Sequence, residues 1–339
     1  MFKKIIKARE MGSLIFLLLL ILLVGCINPA FWQPTSLLNC LNDSVVFTLL
    51  AVGIAFPILT GDIDVSIGAT LGMSAAVGAT LLRDGSSWVV AILAAILVGA
   101  IIGIVNGIGV SILGIPSLIF TLGTNGVIRG LIYVYTNGAW VENLPADYTR
   151  AANVKLVGEL TTFYAITILV VIVCHVLLNH TRKGKYFKAI GDNMAGATMI
   201  GIPAKQTQIA SYLICGIFAA IAGMVYTSRI GFITPTAGNG YEMKAIAACV
   251  IGGIALTGGQ GSLLGAAIGA IIMSSISRIL VFMQFSSDYD NTITGIMLIV
   301  IVVVTTVAQN RALIKNKHEI LKARTISSRK SSVQEGGEL

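Results

Sequence analysis

The chain has 339 residues, of which 55% are hydrophobic and only 11% are charged. A soluble globular domain carries about 25% charged residues, so this composition excludes a water-soluble enzyme, a disordered chain and a small disulfide scaffold. Basic residues outnumber acidic ones by 23 to 15, a net charge of +8. Such a charge could indicate nucleic-acid binding, and the positions of the cations, described below, decide that question.

Apolar segments recur along the chain. A helix that crosses about 30 Å of hydrocarbon needs roughly 20 residues, and ten segments between breakers approach that length. They predict an all-α membrane protein with about ten transmembrane helices. In chain order the segments are residues 11–27, 45–60, 66–82, 88–113, 116–135, 163–178, 210–227, 245–256, 263–283 and 292–308.

The break after the second segment is polar, because residues 61–68 read Gly-Asp-Ile-Asp-Val-Ser-Ile-Gly. An unpaired aspartate near the bilayer centre costs roughly 2.5–3.5 kcal/mol on insertion scales and is seldom kept without a role. Asp62 and Asp64 are therefore candidate path residues. The alternative is that Asp64 or Ser66 caps the third helix, which is compatible with lining a cavity.

A polar, cationic segment at residues 180–209 separates the sixth and seventh predicted spans. Asp192 or Asn193 can cap a short helix over residues 194–200, and Gly201 can end it. A bare connection needs only a few residues, so this length predicts a docking surface for a soluble partner. The alternative is a helix that lies in the lipid interface.

A second break, at residues 252–259, repeats the pattern G-x-I-x-[VL]-[ST]-x-G of residues 61–68. Six spans separate the two breaks, so both are expected to face the same side. Paired interrupted segments indicate an internal duplication and are typical of transporters, where unwound backbone lies beside protein or water. Glycines spaced by four at Gly99, Gly103 and Gly107 predict close helix packing in the fourth span.

The cations fall in three regions: the N-terminus, residues 180–209 and the tail after the tenth span. Together these hold sixteen of the 23 lysines and arginines, and even numbers of spans separate them. Because cationic loops stay cytoplasmic, both termini are predicted to be cytoplasmic. This placement explains the positive charge and leaves no basic, aromatic-rich patch for nucleic acid.

The sequence shows no recognisable catalytic chemistry. The pattern G-x-x-x-x-G-K-[ST] is absent, so no ATP site of the P-loop type is expected. The three histidines are scattered and the five cysteines have no C-x-x-C spacing, so we expect neither a metal site nor disulfides. The prediction is a transport subunit with no catalytic residues, cofactor or metal.

Three motifs carry a resemblance to a known family. They are GDIDVSIG at 61–68, AIGDNMAGATMIGI at 189–202 and YEMKAIAACVIGGIALTGGQGSLLGAAIGA at 241–270. These three motifs resemble those of the membrane permeases of bacterial ABC importers of the ribose, xylose and arabinose class. Within that class the chain is most similar to the autoinducer-2 permeases, and rhamnose permeases are also similar. The class commonly has Gly-Gly-Ile-Asp-Leu-Ser at the first motif, so Asp62 and Val65 are departures from it.

The resemblance implies a type II-like ABC permease fold with two related glycine-interrupted elements. It implies one permease domain over residues 1–310, with a basic cytoplasmic tail over 311–339, in the bacterial inner membrane. The implied partners are a cytoplasmic ATP-binding subunit, a second permease that is either the same or a sister chain, and an extracytoplasmic solute-binding protein.

Residue by residue, the resemblance also implies two sets of site residues. The helix that couples to the ATPase would include Gly191, Asp192, Asn193, Ala195, Ala197 and Gly201. The translocation path or gate would include Asp62, Asp64, Ser66 and Gly68 in the first half and Glu242, Gly252, Gly253, Gly258, Gly259 and Gly261 in the second.

The resulting hypothesis is a permease that moves a small polar, sugar-like solute inward, powered by a separate ATPase. Autoinducer-2 is favoured, with rhamnose, ribose or another monosaccharide as alternatives. Two other functions stay open. One is an ion-gradient-driven transporter that titrates Asp62 and Asp64, and the other is a membrane scaffold that binds a soluble partner through residues 180–209.

Overall fold

The computed structural model describes residues 10–283, 286, 289–290, 292–300 and 303. The chain divides into two units, residues 1–294 and 295–339. Of the second unit only residues 295–300 and 303 are described, and their backbone is helical. The predicted basic tail after residue 310 lies outside the described residues.

Twelve helices have defined bounds between residues 10 and 283. They are α1 Glu10–Ile27, α2 Pro34–Thr60, α3 Ile67–Arg83, α4 Trp88–Ser111, α5 Ser117–Thr136, α6 Ala146–Ala151, α7 Thr162–His180, α8 Arg182–Asp192, α9 Met194–Met199, α10 Ala204–Ile230, α11 Tyr241–Ile251 and α12 Leu263–Phe282. A 3-10 turn, Pro29–Trp32, joins α1 to α2, and an antiparallel hairpin of β1 Lys155–Val157 and β2 Leu160–Thr161 precedes α7.

Local sequence explains where several helices begin and end. Side-chain oxygens of Ser87, Thr161 and Thr181 accept amide protons at the starts of α4, α7 and α8, as N-cap residues do. Gly61 and Gly231 follow α2 and α10 with φ of 91° and 88°. A residue without Cβ adopts this left-handed conformation at little cost, so both helices end there.

Six helices, α2, α4, α5, α7, α10 and α12, are long and apolar enough to cross a membrane, and α1 and α3 are apolar but shorter. The predicted all-α membrane class is confirmed. The predicted span over residues 245–256 is corrected, because α11 has 11 residues, about 16 Å of helix, and ends at Ile251. The tenth predicted span is described only at 292–300 and 303, so the count of ten stays a prediction.

The helix α10 packs against α2, α3 and α4 at the centre of the first unit. The glycine face of α4 meets it, because a Cβ on Gly103 would overlap the backbone of Tyr212, and one on Gly107 would lie 2.8 Å from the Cα of Ile209. The predicted close packing of α4 is confirmed. In lipid, which is as apolar as leucine, such small-residue contacts let helix backbones approach and associate.

The outer faces of α4, α5 and α7 carry large apolar side chains that no described residue covers. Such faces suit hydrocarbon or another apolar partner and would be a liability in water. Examples are Leu93, Leu97 and Ile101 on α4, Ile119, Leu122 and Val127 on α5, and Ile166, Leu169 and Val173 on α7.

The connection between α5 and α7 is attached to α10. Tyr148 donates its hydroxyl to the Met224 carbonyl over 2.6 Å, and the Ser228 hydroxyl donates to the Tyr148 carbonyl over 2.7 Å. Burial raises the pKa of Tyr148 to about 12, so the phenol remains a donor at neutral pH. A β-bridge between Val141 and Ile233 adds a second attachment, just before α11.

Candidate functional site

The first break, residues 61–66, joins α2 to α3 and contains a buried carboxylate. Asp64 is 2% exposed, and its Oδ1 accepts hydrogen bonds from the Ser66 amide over 2.9 Å and the Ser66 hydroxyl over 2.6 Å. Ser66 stands at the N-cap position of α3, but its side chain makes no capping hydrogen bond. Asp64 thus fixes the turn that leads into α3, while Ser66 bonds to Asp64 instead of to the helix.

Asn106 of α4 completes this cluster. Its Nδ2 donates to Ser66 Oγ over 2.7 Å and to Asp64 Oδ1 over 3.4 Å, and its Oδ1 has no partner among the described residues. Burying a polar group costs free energy unless it is hydrogen-bonded, so these donors offset part of the cost of burying the Asp64 carboxyl. The sequence analysis missed Asn106, although a polar residue inside an apolar span was the available signal.

Side chains from α5 and α10 hold the rest of the first break. The Val65 amide donates to Thr121 Oγ1 over 3.1 Å. The Gln208 side-chain nitrogen donates to Asp62 Oδ2 over 2.9 Å. This hydrogen bond connects Asp62 to the N-terminal part of α10. Polar contacts from α4, α5 and α10 therefore converge on one short irregular segment.

The second break, residues 252–262, joins α11 to α12 and is built from glycine. Where α11 and α12 cross, Gly252 and Gly265 approach so closely that a Cβ on either would overlap the backbone of the other. Four further glycines have positive φ, which side chains rarely tolerate: Gly253 at 83°, Gly258 at 85°, Gly259 at 74° and Gly261 at 149°.

The two breaks meet each other and the end of α8 at one point. The Gly259 amide donates to the Leu59 carbonyl over 3.0 Å. A Cβ on Gly191 would overlap the same carbonyl and the Gly259 nitrogen, and a Cβ on Gly258 would lie 2.9 Å from the Cα atoms of both Gly61 and Gly191. We call Gly61, Gly191, Gly258 and Gly259 the glycine joint. It places all three sequence motifs in direct backbone contact.

At the start of α3, Gly68 faces two charged side chains. Glu242 is 7% exposed; its Oε1 accepts from the Gly240 amide over 3.3 Å, while its Oε2 has no described partner. Arg129 donates from Nη1 to the Ala237 carbonyl over 2.6 Å, and its Nε and Nη2 have no described partner. A Cβ on Gly68 would overlap Glu242 Oε2 and lie 3.4 Å from Arg129 Nη2. A free acceptor and free donors therefore face one small space.

The sequence analysis missed Arg129, although a cation inside an apolar span was again the available signal. It also missed Lys244, which directly precedes the predicted span over residues 245–256. Lys244 is 5% exposed and donates from Nζ to Asp290 and, over 3.3 Å, to Ser277 Oγ. The same ammonium lies 5.2 Å from the centroid of the Phe47 ring, within cation–π range. These contacts attach the half-length helix α11 to α2, to α12 and to the segment after α12.

The segment between α7 and α10 forms α8 and α9. Asn193 caps α9 by accepting a hydrogen bond from the Gly196 amide over 2.9 Å. Of the two predicted caps, Asp192 and Asn193, the structure therefore uses Asn193. Ala197 is buried, whereas Met199 and Ile200 are 88% and 77% exposed and form the projecting apolar end of α9. The sequence analysis missed these two residues. Of the other predicted coupling residues, Gly191 lies in the glycine joint, and the exposed ones are Asp192, Asn193, Ala195 and Gly201.

Within the described part of the chain, no three His, Cys, Asp or Glu side chains lie close enough to hold a metal ion. The cysteines are free. In the described residues, backbone contacts connect the two breaks to the end of α8. Hydrogen-bonding side chains lie beside the first break.

The chain is similar in sequence to a protein family and to several named proteins. Residues 36–302 match the family described as "Branched-chain amino acid transport system / permease component". A protein of Yersinia pseudotuberculosis serotype O:3 (strain YPIII), named "Autoinducer 2 import system permease protein LsrC", is 37% identical over 303 residues, covering 89% of this chain and 86% of the relative. Proteins of the same name from Escherichia coli O157:H7 and Enterobacter sp. (strain 638) are 38% and 37% identical and cover 89% of this chain and 88% of each relative. No solved structure shows a significant match.

Proposed function

The chain belongs to the branched-chain amino acid transport system permease family, and we propose that it moves a small, polar, sugar-like solute inward, with autoinducer-2 as the favoured solute. It is the permease subunit of an ABC importer, and such a permease works with ATPase and solute-binding partners. The solute is inferred from relatives whose name specifies autoinducer-2 import. Rhamnose, ribose and other monosaccharides are the competing solutes.

The glycine joint is the observation that carries this proposal. Gly191 at the end of α8 touches Leu59 and Gly259 through backbone atoms alone. Because no flexible side chain lies between them, a displacement of α8 and α9 must displace both breaks. The projecting Met199 and Ile200 supply the surface on which the ATP-binding subunit would act, with Asp192, Asn193 and Ala195 beside them. Gly201, at a φ of 83°, ends the segment.

The breaks form the gate of the proposed path. Asp62, Asp64, Ser66 and Gly68 line one side, and Glu242 with the glycines of the second break lines the other. A neutral polyol needs hydrogen-bonding groups and a transiently wet cavity, not a charge filter. Suitable groups when the breaks separate are atoms that have no hydrogen-bond partner among the described residues: Asn106 Oδ1, Glu242 Oε2 and Arg129 Nε and Nη2.

Topology and assembly follow the same proposal. Both termini lie in the cytoplasm, because this orientation puts α8, α9 and the other cationic regions on the cytoplasmic side of the bacterial inner membrane. Residues 1–310 form one permease domain, residues 311–339 a basic tail, and a second permease, either the same or a sister chain, completes the path.

Reconstituted transport tests the solute and the energy source together. We reconstitute the chain with its ATP-binding subunit, second permease and solute-binding protein in vesicles, and measure uptake of labelled autoinducer-2, rhamnose and ribose. The expected result is ATP-dependent uptake of autoinducer-2 at least about tenfold above the other two. Equal uptake without the ATP-binding subunit, driven by an ion gradient, would contradict the proposal.

A matched pair of variants tests the coupling surface. Changing both Met199 and Ile200 to Asp is expected to reduce co-purification of the ATP-binding subunit at least about tenfold, because charges replace the apolar end of α9. The control changes Leu156 and Val157 to Asp; these are 60% and 71% exposed on the hairpin at the opposite face, and they should leave co-purification unchanged. Equal loss in both variants would show that α9 is not the contact.

A further inference from the structure

A cleft of about 360 Å³ opens between α8 and the first turns of α10. Lys183, Tyr186 and Gln206 line its polar end. Phe187 and Ile214 line its apolar end. The cleft is distinct from the two breaks and from the exposed end of α9, so the proposed transport function leaves it unused.

The cleft runs from the membrane surface toward the hydrocarbon. Ile214 follows Gln206 by eight residues in α10, which places it about 12 Å farther along a helix that is long and apolar enough to span a membrane. Tyr186 lies near the polar end, where aromatic rings with a polar tip are enriched in membrane proteins. An occupant must therefore be polar at one end and apolar at the other.

The charge around the polar end has one sign. Arg182, Lys183 and Lys185 are exposed on α8, and Lys205 is exposed at the start of α10. Between residues 181 and 206 the sequence has one acidic residue, Asp192, at the far end of α8. Along the same helix Phe187 and Ile190 are buried, so α8 has the amphipathic pattern of a helix that lies in the interface.

We propose that this cleft binds one anionic phospholipid of the cytoplasmic leaflet. The phosphate lies against the ammonium group of Lys183, and an acyl chain lies along Phe187, Ala210 and Ile214. Basic clefts between helices on the cytoplasmic side suit such headgroups. Because α8 also carries Gly191 of the glycine joint, the lipid holds the segment that links the ATPase contact to both breaks.

Lipid retention by the full-length chain tests this site. The purified chain in neutral detergent is given phosphatidylglycerol or phosphatidylcholine with identical acyl chains, and bound lipid is counted by native mass spectrometry. We expect wild type to retain phosphatidylglycerol at least about tenfold better. Lys183→Gln should reduce that preference by about fivefold. The control Lys155→Gln, an exposed cation on the hairpin, should not change it.

The apolar end has its own variant. Ala210→Phe fills the cleft beside Ile214 and should reduce retention of both lipids, whereas Leu97→Phe, on the exposed face of α4, should reduce neither. Competition by glycerol phosphate as strong as that by phosphatidylglycerol would overturn the lipid assignment in favour of a soluble anion. Unchanged lipid retention with loss of the ATP-binding subunit in the lysine variant would also overturn it, and would assign the cations to that partner.

Discussion

The two breaks share a sequence pattern but are held by different forces. The first break is held by side chains: Asp64, Ser66 and Asn106 form a buried cluster, and Gln208 holds Asp62. The second break is held by backbone, because Gly253, Gly258, Gly259 and Gly261 adopt positive φ and Gly252 packs directly against the backbone of Gly265. One half of the proposed gate therefore depends on polar chemistry and the other on the absence of Cβ atoms.

The aligned positions make the difference concrete. Ser66 of the first break corresponds to Thr257 of the second; Ser66 is fully buried and Thr257 is exposed. Gly61 has a φ of 91°, whereas the aligned Gly252 has −67°. The two breaks thus share residue types, but the aligned residues differ in burial and in backbone conformation because their neighbours differ.

The largest expected effect comes from a methyl group at the point where both breaks meet. Gly191→Ala forces a Cβ onto the Leu59 carbonyl and the Gly259 nitrogen, and overpacking of this kind costs about 1–3 kcal/mol or more. We expect thermal stability of the purified chain to fall and ATP-driven uptake in vesicles to drop at least about tenfold.

The control for that substitution is Gly126→Ala. Gly126 is also inside a helix, α5, and a Cβ there meets nothing within 4 Å, so the change should stabilise the chain slightly through helix propensity. Similar loss of uptake in both variants would show that the contact at Gly191 has no special role.

A smaller effect, confined to the first break, is expected from Asp64. Asp64→Ala leaves the Ser66 amide and hydroxyl without their acceptor, while Asn106 keeps its bond to Ser66 Oγ, and a buried unsatisfied group costs about 1–3 kcal/mol. Asp64→Asn keeps an acceptor oxygen and should cost about 1 kcal/mol, with uptake within about threefold of wild type. Denaturant unfolding in micelles measures both.

The aligned residue of the second break supplies the comparison. Ala255→Ser adds a hydroxyl to a half-buried position and should change stability by less than about 0.5 kcal/mol.

The Asp64→Asn variant also tests the proposed energy source. If this variant is fully stable but its uptake is abolished, the result would favour an ion-coupled transporter that titrates the Asp64 carboxyl.

The membrane class and most helices could be predicted from the sequence because apolar length is a local property. Five predicted spans agree with helix bounds within about two residues: 66–82 with α3, 88–113 with α4, 116–135 with α5, 163–178 with α7 and 263–283 with α12. The error at 245–256 has a physical cause: apolar residues continue through Leu256, but the helix stops at the glycine pair Gly252 and Gly253.

The contacts of the site could not be predicted, because they join residues far apart in sequence. The sequence marked Gly191, Gly61 and Gly259 as members of three separate motifs, and only the fold places their backbones together. Asn106 and Arg129 were missed for the same reason, since their partners Ser66 and Ala237 lie in distant segments of the chain.

The smallest expected effect comes from removing the aligned hydroxyls, Ser66 in the first break and Thr257 in the second, and comparing the loss of stability. Ser66→Ala removes a hydroxyl that donates to Asp64 and accepts from Asn106, so it should destabilise the chain by about 1–2 kcal/mol. Thr257→Ala removes an exposed side chain and should change stability by less than about 0.5 kcal/mol. Both variants are measured by denaturant unfolding in the same detergent. Equal losses would mean that Thr257 has a buried partner and that the two breaks are physically alike, whereas a clear difference confines the polar half of the gate to residues 61–66.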